Sequence, residues 1–269
     1  MLIQSASLQG LRESNEDEHI SIENIDSKDK KLNNVNLLAV YDGHGGNQVS
    51  KFLKENMYKY FLKKKQDDNI FKDNKTTVKY IIGVFNHLQN KIKKEKYAKH
   101  SGSTALITLE TKYRRKKNLW VANTGDCRAV ICNRYNIAVQ LTKDHKPNSM
   151  EERKRIEGLN GKINFDGYDW RIKDLSLSRA FGDTDATPYV THNPQIYKYQ
   201  ISNSDKFMIL ACDGLWDVLG NQEVINFILE YQSKINFEKD NINIANKLAQ
   251  FAIESGSTDN ITIILKFFK

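Results

Sequence analysis

Two short apolar runs in this chain of 269 residues each end in an aspartate that is followed at once by glycine. Asp42 follows the run 35–41, and Asp213 follows the run 207–212. Short runs rich in Leu, Ile, Val and Phe are typical of buried strands, and glycine lets the backbone turn at their ends. Each carboxylate is therefore expected at the end of a sheet, where it needs a compensating charge. A divalent metal ion is the commonest one, because it takes carboxylate and carbonyl oxygens.

Composition bounds the class of protein. The chain is 39% hydrophobic and 28% charged, which fits one domain with a large core, although the length alone would also allow two. The three cysteines form no CxxC pair and leave one unpaired in any disulfide scheme, which favours a reducing compartment. No apolar run is long enough to span a bilayer, Met1 begins no signal peptide, and Leu2 excludes an N-myristoylation signal. We therefore expect a soluble cytoplasmic protein, with the nucleus also open, and no membrane contact.

The net charge of +8 could favour acidic or phosphorylated partners. Lys and Asn are abundant along the whole chain, however, and no recognised nucleic-acid motif accompanies the densest basic runs, 63–65, 91–96 and 114–117. We expect no nucleic-acid partner.

Apolar patterning predicts an α+β protein. Strands are expected at 6–9, 35–41, 104–109, 119–123, 128–132, 138–141, 207–212 and 261–267. Consecutive strands between 104 and 141, separated by short polar turns, predict antiparallel meandering sheets. Paired helices before and after the strands predict covering layers.

Five helices are expected around these strands. Apolar residues at three- and four-residue steps predict helices from Val49 to Phe61 and from Val78 to Ile92. Ser149 and Glu152 form a capping-box pattern for a third helix, which Gly158 can end. Two more patterns occupy 222–232, with Asn221 as N-cap, and 244–254. The polar segment 67–75 is expected to be a mobile loop.

Acidic residues lie beside glycine or near strand ends in five places. They are Glu16 and Asp17 in RESNEDEH, Asp42 in DGHGG, Asp144 in DHKP, Asp213 and Asp217 in DGLWD, and Asp259 in STDN. A pair of divalent cations about 3.5–4 Å apart needs several such carboxylates and would attract a phosphate dianion. Taken singly, each acid can also be a turn residue or part of a solvated acidic run. Asp126 in NTGDCR has polar neighbours on both sides, and we interpret it as a hairpin-turn residue.

Two basic side chains near these acids are candidates for phosphate chemistry. His44 stands two residues after Asp42, and imidazole titrates near neutrality, so it can donate a proton to a leaving group. Arg12 precedes Glu16 and Asp17, and its guanidinium can donate two parallel hydrogen bonds to two phosphate oxygens. The alternatives are a structural histidine and a surface arginine paired with Glu16.

Eight motifs in order resemble the metal-dependent protein serine/threonine phosphatases of type 2C. They are LRESNEDEH, YDGHGG, SGSTA, NTGDCRAV, DHKPNSMEERKRIE, LSLSRAFGD, LACDGLWDV and STDNITIIL. The resemblance covers nearly the whole chain, from Ser5 to Leu265. The resemblance implies a four-layer α/β/β/α sandwich, in which helices flank two antiparallel sheets and the metal site lies in a cleft at one end. It identifies residues 1–269 as a single catalytic domain.

The resemblance also implies a role for each motif residue. Asp42 bridges two Mg²⁺ or Mn²⁺ ions, Gly43 supplies a backbone carbonyl, Asp213 and Asp259 are further ligands, and Glu16 and Asp17 act mainly through metal-bound waters. Asp144 and Asp217, with Asp213, match positions that hold a weaker third ion in some members. Arg12 corresponds to the phosphate-binding arginine, His44 to the general acid, and Asn260 to a residue that holds the network together.

The resemblance implies that other motif residues stabilise the fold or contribute to the choice of substrates and regulators. Arg179 and Asp183 are interpreted as buried tethers, because buried charges are usually paired. Residues 146–173 match the flap beside the active site, where family members differ and substrates or regulators are chosen.

The implied activity is hydrolysis of phosphoserine and phosphothreonine in signalling. A water bound to the two-metal centre attacks phosphorus directly, without a phosphoenzyme. The expected partners are phosphoprotein substrates, and the expected oligomeric state is a monomer.

Two alternatives stay open. The segment DTDAT at 183–187 fits the DxDxT pattern of aspartyl-phosphate phosphatases, but SRAFG precedes it instead of an apolar strand. A pseudophosphatase would keep the fold without turnover, although such proteins usually have replaced metal ligands, and here Asp42, Gly43, Asp213 and Asp259 are present.

Overall fold

Two antiparallel five-stranded sheets form the centre of the computed structural model, which describes residues 2–25, 35–63, 70–71, 73–113, 116–234 and 242–268. The first sheet has the order β1 (Ile3–Leu8), β15 (Ile261–Phe267), β14 (Phe207–Ala211), β8 (Arg128–Cys132) and β9 (Ala138–Gln140). The second has the order β13 (Gln195–Ile201), β7 (Lys116–Thr124), β6 (Ala105–Tyr113), β3 (Asn36–Tyr41) and β2 (Glu18–Ile22).

Both faces of β3 are covered, which explains its continuous apolar sequence. Leu37, Ala39 and Tyr41 pack in one cluster with α1 (Gln48–Lys63) and α2 (Asn74–Ile92). Leu38 and Val40 pack instead against residues of the first sheet. Successive side chains of a strand point to opposite faces, so a strand in an inner layer needs apolar residues at every position. Complete burial of a side chain such as Leu37 stabilises the fold by roughly 2 kcal/mol.

Two helices cover the outer face of the first sheet. Alternate residues of β15, Ile263 and Leu265 among them, pack with α5 (Asn221–Lys234) and α6 (Ile244–Glu254). The layers are therefore helix, sheet, sheet and helix, which confirms the predicted α/β/β/α sandwich. No helix among the described residues is long and apolar enough to cross a membrane.

A buried ion pair joins the two sheets. Lys266 on β15 donates to Glu110 on β6, and these residues are 1% and 8% exposed. A buried charge is tolerated where an opposite charge pairs with it. Removal of either Lys266 or Glu110 would therefore leave the other charge buried without a partner.

Smaller elements lie beside the sandwich. The flap region contains α3 (Met150–Gly158) and a hairpin of β10 (Ile163–Phe165) and β11 (Trp170–Ile172). A three-stranded sheet has the order β12 (Phe181–Gly182), β5 (Gly102–Ser103) and β4 (Gly43–His44). The short helix α4 (Asp213–Trp216) follows β14 directly, and single 3-10 turns occupy Lys96–Lys99 and Thr184–Ala186.

The strands between residues 104 and 141 do not form one continuous meander. β6 and β7 pair as a hairpin, and so do β8 and β9, but the connection from β7 to β8 crosses from the second sheet to the first. Nearly every residue of β7 and β8 is buried, so both strands require cover on two faces. Their placement in two packed sheets meets that requirement.

Other expectations differ from the structure in detail. β2 and β13 were not expected from the sequence, because their alternation is short and interrupted by polar residues. Ser149 is the N-cap of α3 but makes no side-chain cap bond, and Glu152 faces Arg155 and Arg179 instead, so the capping box is not formed. The predicted mobile loop at 67–75 lies partly outside the described residues, and its last two residues begin α2.

Candidate metal centre

Three carboxylates from distant parts of the chain meet where strands of the two sheets end. Asp42 follows β3 of the second sheet, and Asp213 begins α4 after β14 of the first. Asp126 lies in the crossing from β7 to β8. One carboxylate oxygen of each residue lies within 4.8 Å of the other two. The two Asp-Gly steps of the sequence therefore converge on one site.

Asp42 also belongs to a second group. An oxygen of Asp42, an oxygen of Asp17 and the Sγ atom of Cys212 lie within 4.8 Å of one another. Both carboxylate oxygens of Asp17 are buried without a hydrogen-bond partner among the described residues. A buried carboxylate in this state is costly unless positive charge compensates it.

Burial and neighbouring charges raise the pKa values of these acids. Burial raises the pKa of Asp42 well above its ordinary value, and the charges of Asp17 and Asp213 raise it further. Burial also raises the pKa of Asp213 to about 8 and the pKa of Asp17 to about 6. A divalent cation would favour the ionised forms and takes hard oxygen ligands, so this donor set fits such an ion.

A cavity of about 550 Å³ opens onto the carboxylates. Its walls bring together most of the predicted site residues, namely Arg12, Glu16, Asp42, Gly43, His44, Asp213 and Asp259, together with Asp126 and Asn260. Arg171 of the flap and the nearby residues Leu175 and Leu177 also line it. The volume lies in the range of small-ligand sites, and the wall is rich in charge.

His44 is held by a buried carboxylate. Its Nε2 atom lies 2.7 Å from Asp183 Oδ2, and the side chains are 23% and 3% exposed. Burial opposes the charged imidazolium, but the bond to Asp183 outweighs it and raises the pKa of His44. A Cβ at Gly102 would lie 2.0 Å from Asp183 Oδ2, so glycine is required beside this pair. Asp183 forms a hydrogen bond with His44 and does not line the cavity. This position favours the interpretation of Asp183 as a buried tether over that of the nucleophile in a DxDxT motif.

Arg12 pairs with Asp259 rather than with Glu16. The Arg12 Nη2 atom donates to Asp259 Oδ2 at 2.7 Å, and the arginine side chain is 60% exposed. The other oxygen of Asp259 accepts from the backbone N–H of Asn260 at 2.7 Å. The guanidinium is therefore at the cavity wall with most of its surface open to a ligand.

Asn260 ties the loop of Glu16 to the centre. Its Oδ1 atom accepts from the Glu16 N–H at 2.9 Å, and its Nδ2 atom donates to the carbonyls of Gln9 and Ser14. Gly43 approaches the same loop closely, because a Cβ there would lie 2.3 Å from the Glu16 carbonyl oxygen. These contacts place the Glu16 side chain at the cavity.

Asp144 and Asp217 belong to neither of the two groups of potential metal ligands found among the described residues. Both oxygens of Asp144 accept from Arg128, at 3.1 Å from Nε and 2.5 Å from Nη2. Asp217 is exposed and does not line the cavity. Asp126, and not Asp144, lies beside Asp213.

Our interpretation of Asp126 as a hairpin-turn residue is therefore wrong. The turn that carries it joins strands of different sheets, and Asp126 is 2% exposed. The polar neighbours on which the interpretation rested, Thr124 and Gly125, are buried as well. The sequence around Asp126 offers no signal of this, because a short polar segment between two strands is typical of a hairpin turn.

Lys146 is a second residue that sequence reasoning missed. Its Nζ atom lies 2.7 Å from Asp126 Oδ2 and 3.3 Å from Asp213 Oδ2. Burial opposes the charge of Lys146, but the attraction of Asp126 and Asp213 outweighs it and raises the pKa of the ammonium. The centre thus contains a fixed positive charge of its own.

Comparisons with known proteins identify the family. The family model described as Protein phosphatase 2C matches residues 1–261. The chain is 47% identical over 175 residues to the PP2C-like domain-containing protein R307 of Acanthamoeba polyphaga mimivirus, which covers 57% of this chain and 96% of that protein. It is 36% identical over 266 residues to the probable protein phosphatase 2C 59 of Oryza sativa subsp. japonica, covering 98% and 74%.

The fold has a counterpart among solved structures. The crystal structure of serine-threonine phosphatase 2C from Toxoplasma gondii superposes with a TM-score of 0.81 at 20% identity, and covers 99% of this chain and 94% of that one.

Proposed function

The chain belongs to the protein phosphatase 2C family and is a metal-dependent protein serine/threonine phosphatase, and we propose that the carboxylate centre around Asp42 is its active site. The observation that carries the proposal is the position of Asp42, which is shared by both groups of potential metal ligands. Arg12 and His44 line the same cavity. A site that combines clustered carboxylates, a guanidinium and an imidazole suits phosphoester hydrolysis.

Two Mg²⁺ or Mn²⁺ ions would be held by Asp42, the Gly43 carbonyl, Asp213 and Asp259. Glu16 and Asp17 contribute negative charge from one side of the centre. Such ions, when bound, make water a stronger nucleophile and neutralise charge on a phosphoryl group. The raised pKa values of Asp42 and Asp213 support this assignment, because burial and then the neighbouring carboxylates disfavour the ionised forms, which bound cations would stabilise.

Arg12 is proposed to bind the phosphate of phosphoserine or phosphothreonine. Its guanidinium can donate two parallel hydrogen bonds to phosphate oxygens, a geometry that lysine cannot reproduce. The pairing with Asp259 fixes its position at the cavity wall while leaving it 60% exposed. Arg12 would therefore orient the substrate and stabilise its negative charge.

His44 is proposed to give a proton to the departing serine or threonine oxygen. Its Nε2 atom is occupied by Asp183, which leaves Nδ1 as the ring nitrogen available for the transfer. An alkoxide is a poor leaving group, so its protonation in the transition state contributes strongly to the rate. Asp183 holds the ring in one orientation and favours its protonated form.

Phosphate release from a phosphothreonine peptide tests the proposed site. We expect release with Mn²⁺ or Mg²⁺, loss of release with chelator, and loss of release in D213N. The matched control is E230Q, because Glu230 is an exposed acid that pairs with Lys234 on α5 outside the cavity lining. Release that survives both chelator and D213N, or no release from the metal-loaded wild type, would refute the proposal.

A further inference from the structure

The second sheet ends in a long strand whose outer side is open. β13 is the longest of the four edge strands that the structure describes, and it pairs with β7 along all seven of its residues. In an antiparallel pair, every second residue turns its N–H and C=O to the partner strand, and the residues between them turn theirs outward. Among the described residues, only β7 is hydrogen-bonded to the backbone of β13. We call the outward-facing backbone groups of 195–201 the open edge.

Two other edge strands receive bonds from the helices beside them. Asn243, the N-cap of α6, donates to the Ser5 carbonyl of β1 at 2.9 Å. Gln222 of α5 accepts from the Ala138 N–H of β9 at 2.9 Å. Proteins commonly cover an edge in this way, because unpaired backbone groups are a template for another strand. On β13 the one local obstacle is Pro194, which stands before the strand and therefore restricts pairing only at its start.

Side chains on both faces hold β13 in place. Ile196 packs with the cluster under α1 and α2, whereas Tyr197 and Tyr199 pack with the cluster between the sheets. The Lys198 Nζ atom donates to Asn74 Oδ1 at the start of α2, at 2.9 Å. The open edge is therefore formed before a partner binds, which lowers the entropic cost of association.

The charge around the open edge is positive. β13 contains Lys198 and no acidic residue. Lys117 of β7 lies opposite the last residue of β13, and Lys112 of β6 lies opposite Lys117. The nearby acids are neutralised or covered, because Glu151, which accepts from the first residue of β13, pairs with a lysine at 2.5 Å and Asp205 is 3% exposed. An acidic segment would therefore complement this edge.

A second copy of this chain fits the open edge poorly. Lys198 is the central residue of β13, so antiparallel pairing of two complete β13 strands would place Lys198 opposite Lys198. Like charges directly opposite each other destabilise a strand pair. The net charge of +8 on each chain adds to this repulsion.

We infer that the open edge of β13 binds an extended, acidic segment of a partner protein, which adds one strand to the second sheet. In this mode of recognition, backbone hydrogen bonds supply affinity and side chains supply specificity. Lys198 is the residue of β13 that selects acidic partners. The inference goes beyond phosphoester hydrolysis and does not depend on the metal centre.

Fluorescence anisotropy of a labelled peptide as long as β13, with alternating Glu and Val, tests this inference on the full chain. We expect the peptide to bind, and a peptide with Lys in place of Glu to bind at least about 5-fold more weakly. K198E should weaken binding of the Glu peptide by about 5-fold, and K198Q by less, because K198E replaces attraction by repulsion. K234E is the matched control, since it changes the net charge equally at an exposed lysine of α5 on the first sheet.

Hydrogen exchange of the β13 amides measures the binding mode directly. In the free protein, every second amide of 195–201 should exchange slowly, because it is bonded to β7, and the amides between them should exchange fast. The Glu peptide should slow the fast set. A peptide that binds only through charge would leave the exchange of these amides unchanged.

Each contrary outcome overturns the inference. No binding of the Glu peptide, equal binding of the Glu and Lys peptides, or equal losses in K198E and K234E would each do so. So would bound peptide without slower exchange in β13. Slow exchange of all β13 amides in the free protein would show that the edge is already covered, and sedimentation would then show whether a second copy covers it.

Discussion

Glu152→Gln should destabilise the protein strongly at neutral pH and much less in acid. Glu152 is 2% exposed, and its carboxylate accepts hydrogen bonds from Arg179, Arg155 and the Ser178 hydroxyl. Burial opposes the ionised form, but the bonds from the two guanidinium groups outweigh it and lower the pKa of Glu152 from 4.5 to about 2. The folded state therefore prefers the ionised carboxylate more than the unfolded state does.

The size of the effect follows from this pKa difference. A group whose folded-state pKa is lowered stabilises the fold above its unfolded pKa and loses that contribution as the pH falls through the folded value. A difference of 2.5 units corresponds to roughly 3 kcal/mol at pH 7, and the same relation leaves roughly 1.4 kcal/mol at pH 3. Glutamine has a similar shape but no charge, so E152Q should lack this pH-dependent part.

Urea unfolding of wild type and E152Q at pH 7, 4 and 3 measures the difference. The matched control is E157Q on the same helix, because Glu157 pairs with Arg153 in an exposed contact that contributes about 0.5 kcal/mol or less. A gap between wild type and E152Q that stays constant from pH 7 to pH 3, or that is smaller than about 1 kcal/mol at pH 7, would refute the reasoning.

Two further predictions address the proton donor and the buried bridge. His44→Ala should lower kcat by about 10²–10⁴-fold on a phosphothreonine peptide and much less on an aryl phosphate, whose leaving group needs little protonation; equal losses on both would remove His44 from the acid role. Lys266→Met should lower the free energy of unfolding by about 3–5 kcal/mol, because Glu110 is left buried without its ammonium. The double variant K266M/E110M should recover most of that loss in the same urea titration, and a double variant as unstable as K266M would contradict the explanation.

Strands that are apolar on both faces were predictable from the sequence. β8 and β15 have the predicted bounds, because an inner-layer strand needs apolar residues at every position and polar turns mark its ends. β2 and β13 were missed because they are edge strands of the second sheet, where half-exposed positions tolerate Lys, His and Gln. The crossing between β7 and β8 was missed because neighbouring strands in sequence usually pair, and local residues do not say which sheet a strand joins.

The site was predictable where an acid follows a buried strand directly. Asp42 and Asp213 meet that condition, and the structure brings them together. Asp126 and Asp144 could not be ranked in the same way, because both are loop acids with polar neighbours. The structure distinguishes these two acids by their surroundings. Arg128 donates hydrogen bonds to both oxygens of Asp144, whereas Asp126 is buried where the chain crosses between the sheets.

The sequence by itself determined the family, the layered architecture and the two strand ends that deliver Asp42 and Asp213, because these depend on local apolar patterns and ordered motifs. Only the tertiary structure decided which further groups join them. Asp126 enters through the crossing between sheets, and Lys146 through a loop anchored to that crossing by His145. The physical reason is that contacts at 3 Å between residues far apart in the chain follow from how the two sheets pack, and no local run of residues carries that information.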